Sequence, residues 1–235
     1  MRILYVFPHP DDESFGPAPV ISHQRRNGDE VFLLTLTKGE ATKQRHRLGV
    51  SKDEMGEIRY KEMLNVAEVL DLNDLTVLDF PDNQLKEHNP LELEDAIRQH
   101  IQKIKPDVLI TYAVHGISGF HDHLVSHAIV KQVYCEMKKD GADYLKRLAF
   151  FTLGDVNSEE GKFNLSTSTA EEIDCIVKVD EKDMENFNEA LDCYETYQQV
   201  IDESNVREDI SNEVCFEIFQ EDYNPPLKSL TEGLG

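Results

Sequence analysis

Short apolar runs recur along the chain, separated by longer stretches in which apolar residues return every three or four positions. The runs predict strands at 2–7, 30–37, 75–80, 107–113, 147–153 and 173–179. The longer stretches predict helices at 16–27, 53–71, 90–105, 122–139 and 181–203. In the second of these, Met55, Ile58, Met63, Val66, Ala67 and Leu70 fall on one face with charges opposite, the mark of a helix packed on a core. Asn89 and Pro90 have the side chains of an N-cap and a first helical residue, and Lys105-Pro106 ends that helix. Strand and helix alternating in this way predict the α/β class: a Rossmann-like three-layer sandwich with a mostly parallel sheet, right-handed crossovers and a strand order near 3-2-1-4-5. The rhythm weakens after residue 154. Residues 214–219 read as one more strand, at an edge, and Pro225-Pro226 opens an extended tail. Residues 1–154 therefore read as the α/β core, and 155–235 as a more irregular extension that completes the same domain.

Composition narrows the partners. The chain has 235 residues, 40 % of them hydrophobic, and a formal net charge of −22. The charge is uneven: −5 over residues 1–154 and −17 over 155–235. Such a surface repels nucleic acid and anionic membranes. The acidic third reads as solvated surface, with adaptation to high salt as the second reading. No apolar run approaches the roughly 20 residues of a membrane helix, and the first residues enter a strand without the pattern of a signal peptide. Cys135, Cys175, Cys193 and Cys215 are scattered and form no CxxC pair, which predicts reduced thiols and a cytoplasmic location. Self-association into a homo-oligomer is left open.

Polar residues gather where strands end. Phe-Pro-His-Pro-Asp-Asp-Glu at 7–13 follows the first strand, and strand exits of open α/β sheets face the ligand crevice. His9 and Asp12 offer the nitrogen and oxygen ligands that catalytic zinc sites use, and Asp11 is left as a base. The strand at 107–113 runs into His115-Gly-Ile-Ser-Gly-Phe-His-Asp-His at 115–123. With strands one and four adjacent, the two clusters meet at the switch point. His9, Asp12 and one of the later histidines then make three protein ligands and leave a position open. Taken singly, His9 and Asp12 also read as a turn histidine and an N-cap. There is no Walker A sequence and no GxGxxG, and carboxylates after strand one would repel a pyrophosphate.

These residues carry a resemblance. His-Pro-Asp-Asp-Glu at 9–13 resembles the signature of the LmbE/PIG-L-type N-acetylglucosaminyl deacetylases. Thr37-Lys-Gly-Glu40 is similar to the family's segment after strand two, Arg59 and Glu62 to its Arg-x-x-Glu helix, and Phe80-Pro-Asp82 to its Asp-bearing turn. Gly116-Ile-Ser-Gly119 with Asp122-His123 is similar to its second metal motif. The motifs lie in the family's order over about residues 1–150. The resemblance implies zinc as cofactor (iron(II) being the alternative), with His9, Asp12 and His123 as ligands. It implies Asp11 as general base and Arg59 and Asp82 as substrate contacts. The substrate would be a small amino-sugar conjugate whose N-acetyl amide is hydrolysed. An amidase acting on a sugar-thiol conjugate is the alternative within the class. Outside it stand a metal- or sugar-binding homologue with little turnover and a metal-free nucleotide-binding module.

One departure bears on catalysis. The family's second motif reads His-Pro-Asp-His, whereas this chain has Phe120-His121-Asp122-His123. Phe120 cannot serve as an oxyanion donor, the loss of which lowers rates by about 10²–10³. His121, one place along, is the expected substitute, with His115 second. Several residues keep plain structural readings as well: Glu13 as a helix first-turn carboxylate, Arg59 and Glu62 as a surface pair, Asp82 as a turn residue, His127 as core or support to the ligands, and Asp122 as an N-cap or a histidine-orienting carboxylate. Lys38, Lys43, Arg45, Arg47 and Lys52 surround only Glu40; this basic segment reads as a solvated loop or as a contact for an anionic substituent of the substrate. Tyr194-Glu-Thr-Tyr-Gln-Gln199 stands where the family often has a His-x-Ser-Gln-like element, and receives no role.

Overall fold

The computed structural model describes residues 1–154 and 165–235. Seven strands form one sheet: β1 (Arg2–Phe7), β2 (Glu30–Thr37), β3 (Asp74–Phe80), β4 (Val108–Tyr112), β5 (Arg147–Thr152), β6 (Cys175–Lys178) and β7 (Glu213–Ile218), in the order β3-β2-β1-β4-β5-β7-β6. The first five are parallel, in the order expected from the sequence. The helices are α1 (Ala18–Arg26), α2 (Gln44–Leu48), α3 (Lys52–Val69), α4 (Pro90–Ile104), α5 (His121–Lys139), α6 (Glu181–Asp192), α7 (Gln198–Ser204) and α8 (Val206–Asp209). No helix among the described residues is long and apolar enough to cross a membrane.

Strand periodicity divides the core into two layers. Ile3, Tyr5 and Phe7 of β1 face the layer built with Val20 and Ile21 of α1, Met63 and Val66 of α3, and Phe187 and Leu191 of α6. Leu4 and Val6 face the opposite layer, with Leu93, Ile97 and Ile101 of α4 and Val130 and Val133 of α5. Burying β1 on both faces leaves its polar residues one place to go: the exit at His9. Helix ends follow their side chains. Ser51 and Glu54 make a reciprocal capping box at α3, and Asn89 caps α4 ahead of Pro90.

Four expectations need correction. Residues 181–203 are not one helix: α6 ends at Asp192, and a 3₁₀ turn at Glu195–Tyr197 precedes α7. The strand at 213–218 is not an edge. As β7 it pairs antiparallel with both β5 and β6, and β6 takes the edge. The segment after Pro225 is not an extended free tail. Leu227 bridges to Cys175, Leu230 is buried, and the Leu230 carbonyl accepts from Arg147 Nη1 at 2.6 Å. Helix α1 starts at Ala18, so Glu13 is not in its first turn. The expected boundary after residue 154 meets residues 155–164, which lie outside the described ones.

Candidate metal centre

The stretch between β1 and α1 is a tight turn. The Asp11 carbonyl accepts from the amides of Ser14 and Phe15 at 2.8 and 2.9 Å, and Asp11 sits at φ +84°, in the region that favours glycine. The turn places His9 and Asp12 against two residues delivered by the next strand and helix of the sheet order, Tyr112 at the end of β4 and His123 in the first turn of α5.

Three potential ligands converge. Asp12 Oδ2 lies 3.5 Å from His9 Nδ1, and Asp12 Oδ1 lies 3.3 Å from His123 Nε2. Donor atoms of the three residues all lie within 4.8 Å of one another, the close grouping of nitrogen and oxygen that a zinc site needs. Both histidines have their other nitrogen engaged. His9 Nε2 is 3.3 Å from both Asp82 Oδ1 and Asp122 Oδ2. His123 Nδ1 donates to the Gly116 carbonyl at 2.9 Å. These contacts fix Nδ1 of His9 and Nε2 of His123 as the nitrogens that face Asp12, as outer carboxylates and carbonyls do for metal-bound histidines. Asp12 is itself held by the His9 amide at 2.8 Å and the Tyr112 hydroxyl at 2.7 Å. The Tyr112 ring stacks on His123 with centroids 4.2 Å apart, which fixes the imidazole plane.

The electrostatics suit a cation. Asp11, Asp12, Glu13, Asp82 and Asp122 surround two imidazoles and the one guanidinium of Arg59, and Asp12, Glu13, Asp82 and Asp122 are buried. Burial disfavours a charged His9, yet its contacts with Asp12 and Asp122 raise it to about 10. Burial likewise works against ionised Asp12, but His123 and His9 hold it well below the usual carboxylate range. Clustered buried carboxylates of this kind need a compensating cation. The oxygen and nitrogen donors suit zinc or iron(II). Two sets of close donor atoms share His9: His9, Asp12 and His123, and His9, Asp82 and Asp122. Only the first brings two imidazoles together and leaves carboxylates behind His9 to orient it.

Asp11 is held separately. Arg59, almost fully buried, donates to Asp11 Oδ2 at 2.5 Å, to the Pro10 carbonyl at 2.7 Å and to the Gly39 carbonyl at 3.2 Å. A Cβ on Gly39 would collide with this guanidinium, which is why a glycine stands after β2. Burial pushes the Asp11 carboxyl up to about 7 against the opposing pull of Arg59. Arg59 and Glu62 are thus not a surface pair: Glu62 accepts from the amide and hydroxyl of Thr196, each at 2.8 Å. Glu13, fully buried, accepts from Ser14 Oγ at 2.6 Å and Tyr194 Oη at 2.7 Å, and burial raises its pKa.

The remaining expected residues divide. Asp82 faces His9 and accepts from the Ala41 amide at 2.7 Å. Asp122 is no N-cap; it orients His9 and accepts from the Leu85 amide at 3.2 Å. His127 donates from Nδ1 to the Tyr112 carbonyl at 2.9 Å, supporting the strand exit. His115 accepts from the Ile117 amide and lies 3.3 Å from Ser168 and Thr152 hydroxyls. His121 lies on the exposed rim, 3.5 Å from Lys86 Nζ. Phe120 is 58 % exposed and sets its ring perpendicular to His123 at 5.6 Å. Tyr112, Tyr194 and Tyr197 were not anticipated. Tyr112 left a signal, a hydroxyl in the last position of a buried strand; the other two left only their place in a family element.

The fold and this donor set define an α/β protein with a candidate His-Asp-His metal centre at the switch point of its sheet. The chain belongs to the PIG-L family, described as GlcNAc-PI de-N-acetylase, which matches residues 4–134. It is 29 % identical over 144 residues to a probable N-acetyl-alpha-D-glucosaminyl L-malate deacetylase of Bacillus subtilis, a match covering 59 % of this chain and 63 % of the relative. It is 31 % identical over 142 residues to the N-acetylglucosaminyl-phosphatidylinositol de-N-acetylase of Bos taurus, covering 58 % and 52 %. The chain thus spans between half and two thirds of the length of these relatives. Among solved structures, the zinc-inhibited form of a teicoplanin deacetylase superposes with a TM-score of 0.71 at 14 % identity, covering 94 % of this chain and 99 % of that one. At that identity the likeness shows the shared fold.

Proposed function

We propose that the protein is a zinc-dependent N-deacetylase that releases acetate from the N-acetylglucosamine part of a small glycoconjugate. The observation that carries this reading is the convergence of donor atoms of His9, Asp12 and His123 within 4.8 Å of one another, with the two Asp12 oxygens turned one to each imidazole. The curated relatives, named as deacetylases of N-acetylglucosaminyl conjugates, support the substrate class.

His9, Asp12 and His123 would hold the metal, which supplies Lewis acidity toward the acetamide carbonyl and a water. Asp12 does so with its orientation fixed by Tyr112 and by the His9 amide. Asp11 takes the proton of the attacking water on its carboxylate and returns it to the departing sugar nitrogen. The amide C–N bond breaks, the acyl carbon gains the water oxygen, and acetate and a free amine leave. Arg59 fixes the Asp11 carboxylate through Oδ2 and so orients the proton carrier. Asp82 and Asp122 keep the His9 ring from rotating. His121, exposed and beside Lys86, is not needed for either proton transfer.

The test is acetate release from N-acetylglucosamine conjugates carrying neutral and anionic aglycones, by zinc-loaded and chelated protein. Release by the loaded form that disappears on chelation and returns with zinc supports the reading. Zinc bound at one per chain with no release from any conjugate favours the second reading, a binding homologue, for which the exposed Phe120 beside His123 is the motive.

A further inference from the structure

Residues 194–197 interrupt an otherwise helical segment and touch the site's supports at three points. Tyr194 is fully buried and has φ −86° and ψ 66°, outside the helical region. Its hydroxyl accepts from the Asp11 amide at 2.8 Å and donates to Glu13 Oε1 at 2.7 Å. Thr196 binds both oxygens of Glu62. Tyr197 lays its ring 4.1 Å from the guanidinium carbon of Arg59 and donates from its hydroxyl to Thr42 at 2.7 Å. A continuous helix would turn Thr196 about 200° away from Tyr194. The break is what lets both reach the crevice.

Asp11 needs such support. A non-glycine residue at φ +84° is strained, and persists where its surroundings over-determine it, at about 1–3 kcal/mol. Two groups grip it from outside its own turn: Tyr194 on the backbone amide and Arg59 on the carboxylate. Tyr197 in turn holds Arg59. These tyrosines lie beyond residue 134, where the family match ends. We infer that the break at 194–197 is a positioning element of the site, with Tyr194 fixing the Asp11 backbone and Tyr197 fixing the arginine that aims its carboxylate. The inference rests on the deacetylase reading for its kinetic consequence only; the structural consequence is independent of it.

The experiment compares Tyr194→Phe with Tyr223→Phe, which removes a hydroxyl bonded instead to Glu221 in the Arg147 cluster. Both keep their rings, and thermal midpoints control for a general loss of stability. Amide exchange at Asp11, zinc per chain, kcat and KM are measured on the zinc-loaded protein. Losing the acceptor of this half-buried amide corresponds to about 10–100-fold faster exchange. Tyr194→Phe is expected to show that acceleration, with zinc still at one per chain. On the conjugate that the wild type hydrolyses fastest, kcat is expected to fall by a similar factor, with KM within about twofold. Tyr223→Phe should leave exchange and kcat unchanged. Unchanged Asp11 exchange in Tyr194→Phe overturns the inference, as does an unchanged kcat or a kcat loss matched by loss of zinc. If the wild type hydrolyses no conjugate, the deacetylase reading fails, and Asp11 exchange with zinc content decides the positioning role by itself.

Discussion

Replacing Arg59 by methionine keeps an unbranched apolar stem but removes the guanidinium with its charge and its donors. The guanidinium is almost wholly buried and serves Asp11, Pro10 and Gly39 at once. Two unit charges about 4 Å apart interact by about 4 kcal/mol at an effective dielectric constant near 20, and removing one partner of a buried pair typically destabilises by about 3–5 kcal/mol. Those figures agree, so Arg59→Met should reduce the unfolding free energy of metal-free protein by about 3–5 kcal/mol. Urea unfolding in chelator measures it, with the urea midpoints compared at unchanged m. A cycle with Asp11→Asn isolates the pair, and the double variant is expected to be more stable than the summed single losses imply by about 1.5–3 kcal/mol. A solvent-screened pair would contribute only about 0.2–1 kcal/mol. Single losses that add to within about 0.5 kcal/mol would refute the claim that Arg59 and Asp11 form one buried unit.

Other outcomes follow from the same geometry. Zinc added to chelated protein should raise the thermal midpoint, since a ligand at about 1,000 times its Kd stabilises by about 4 kcal/mol; His123→Ala should abolish the rise, and a rise of equal size would contradict the ligand assignment. His121→Ala should leave kcat/KM within about twofold, because His121 is exposed beside Lys86; a large loss with zinc retained would restore the role expected from its place in the motif. Burial, reinforced by Lys131, lowers the pKa of His127 below its ordinary value. Its contribution to stability is therefore complete above about pH 6.5 and lost as pH falls through the lower folded value. His127→Gln should shrink the drop in urea midpoint between about pH 7 and 5; an undiminished drop would count against it.

Much of the fold was legible because its signals are local. Buried parallel strands show as unbroken apolar runs, and the polar residues that interrupt them at 9–13 and 115–123 mark the crevice. Adjacency of β1 and β4 then brings His9, Asp12 and His123 together. Other features depend on partners far along the chain. Arg59 and Glu62, three apart on α3, look like a surface pair until Asp11 and Thr196 are placed against them. The amphipathic pattern of 181–203 gives no sign of a break, since Tyr194 leaves the helix to meet Glu13 and Asp11. Alternation along β7 shows a half-buried strand but not its place in the sheet. That place is set by pairing with β5 and β6, and Leu230 and Leu227 then fold back over β6. His121 illustrates the converse: beside the motif in sequence, its ring lies exposed next to Lys86.

Coordination of zinc by His9, Asp12 and His123 is tested most directly by anomalous diffraction at the zinc edge from zinc-loaded crystals. A single peak about 2.0–2.2 Å from His9 Nδ1, His123 Nε2 and an Asp12 oxygen is expected, with Asp82 and Asp122 still on the far nitrogen of His9. A peak bound by His9 Nε2 together with Asp82 and Asp122, or no peak between His9 and His123, would contradict it.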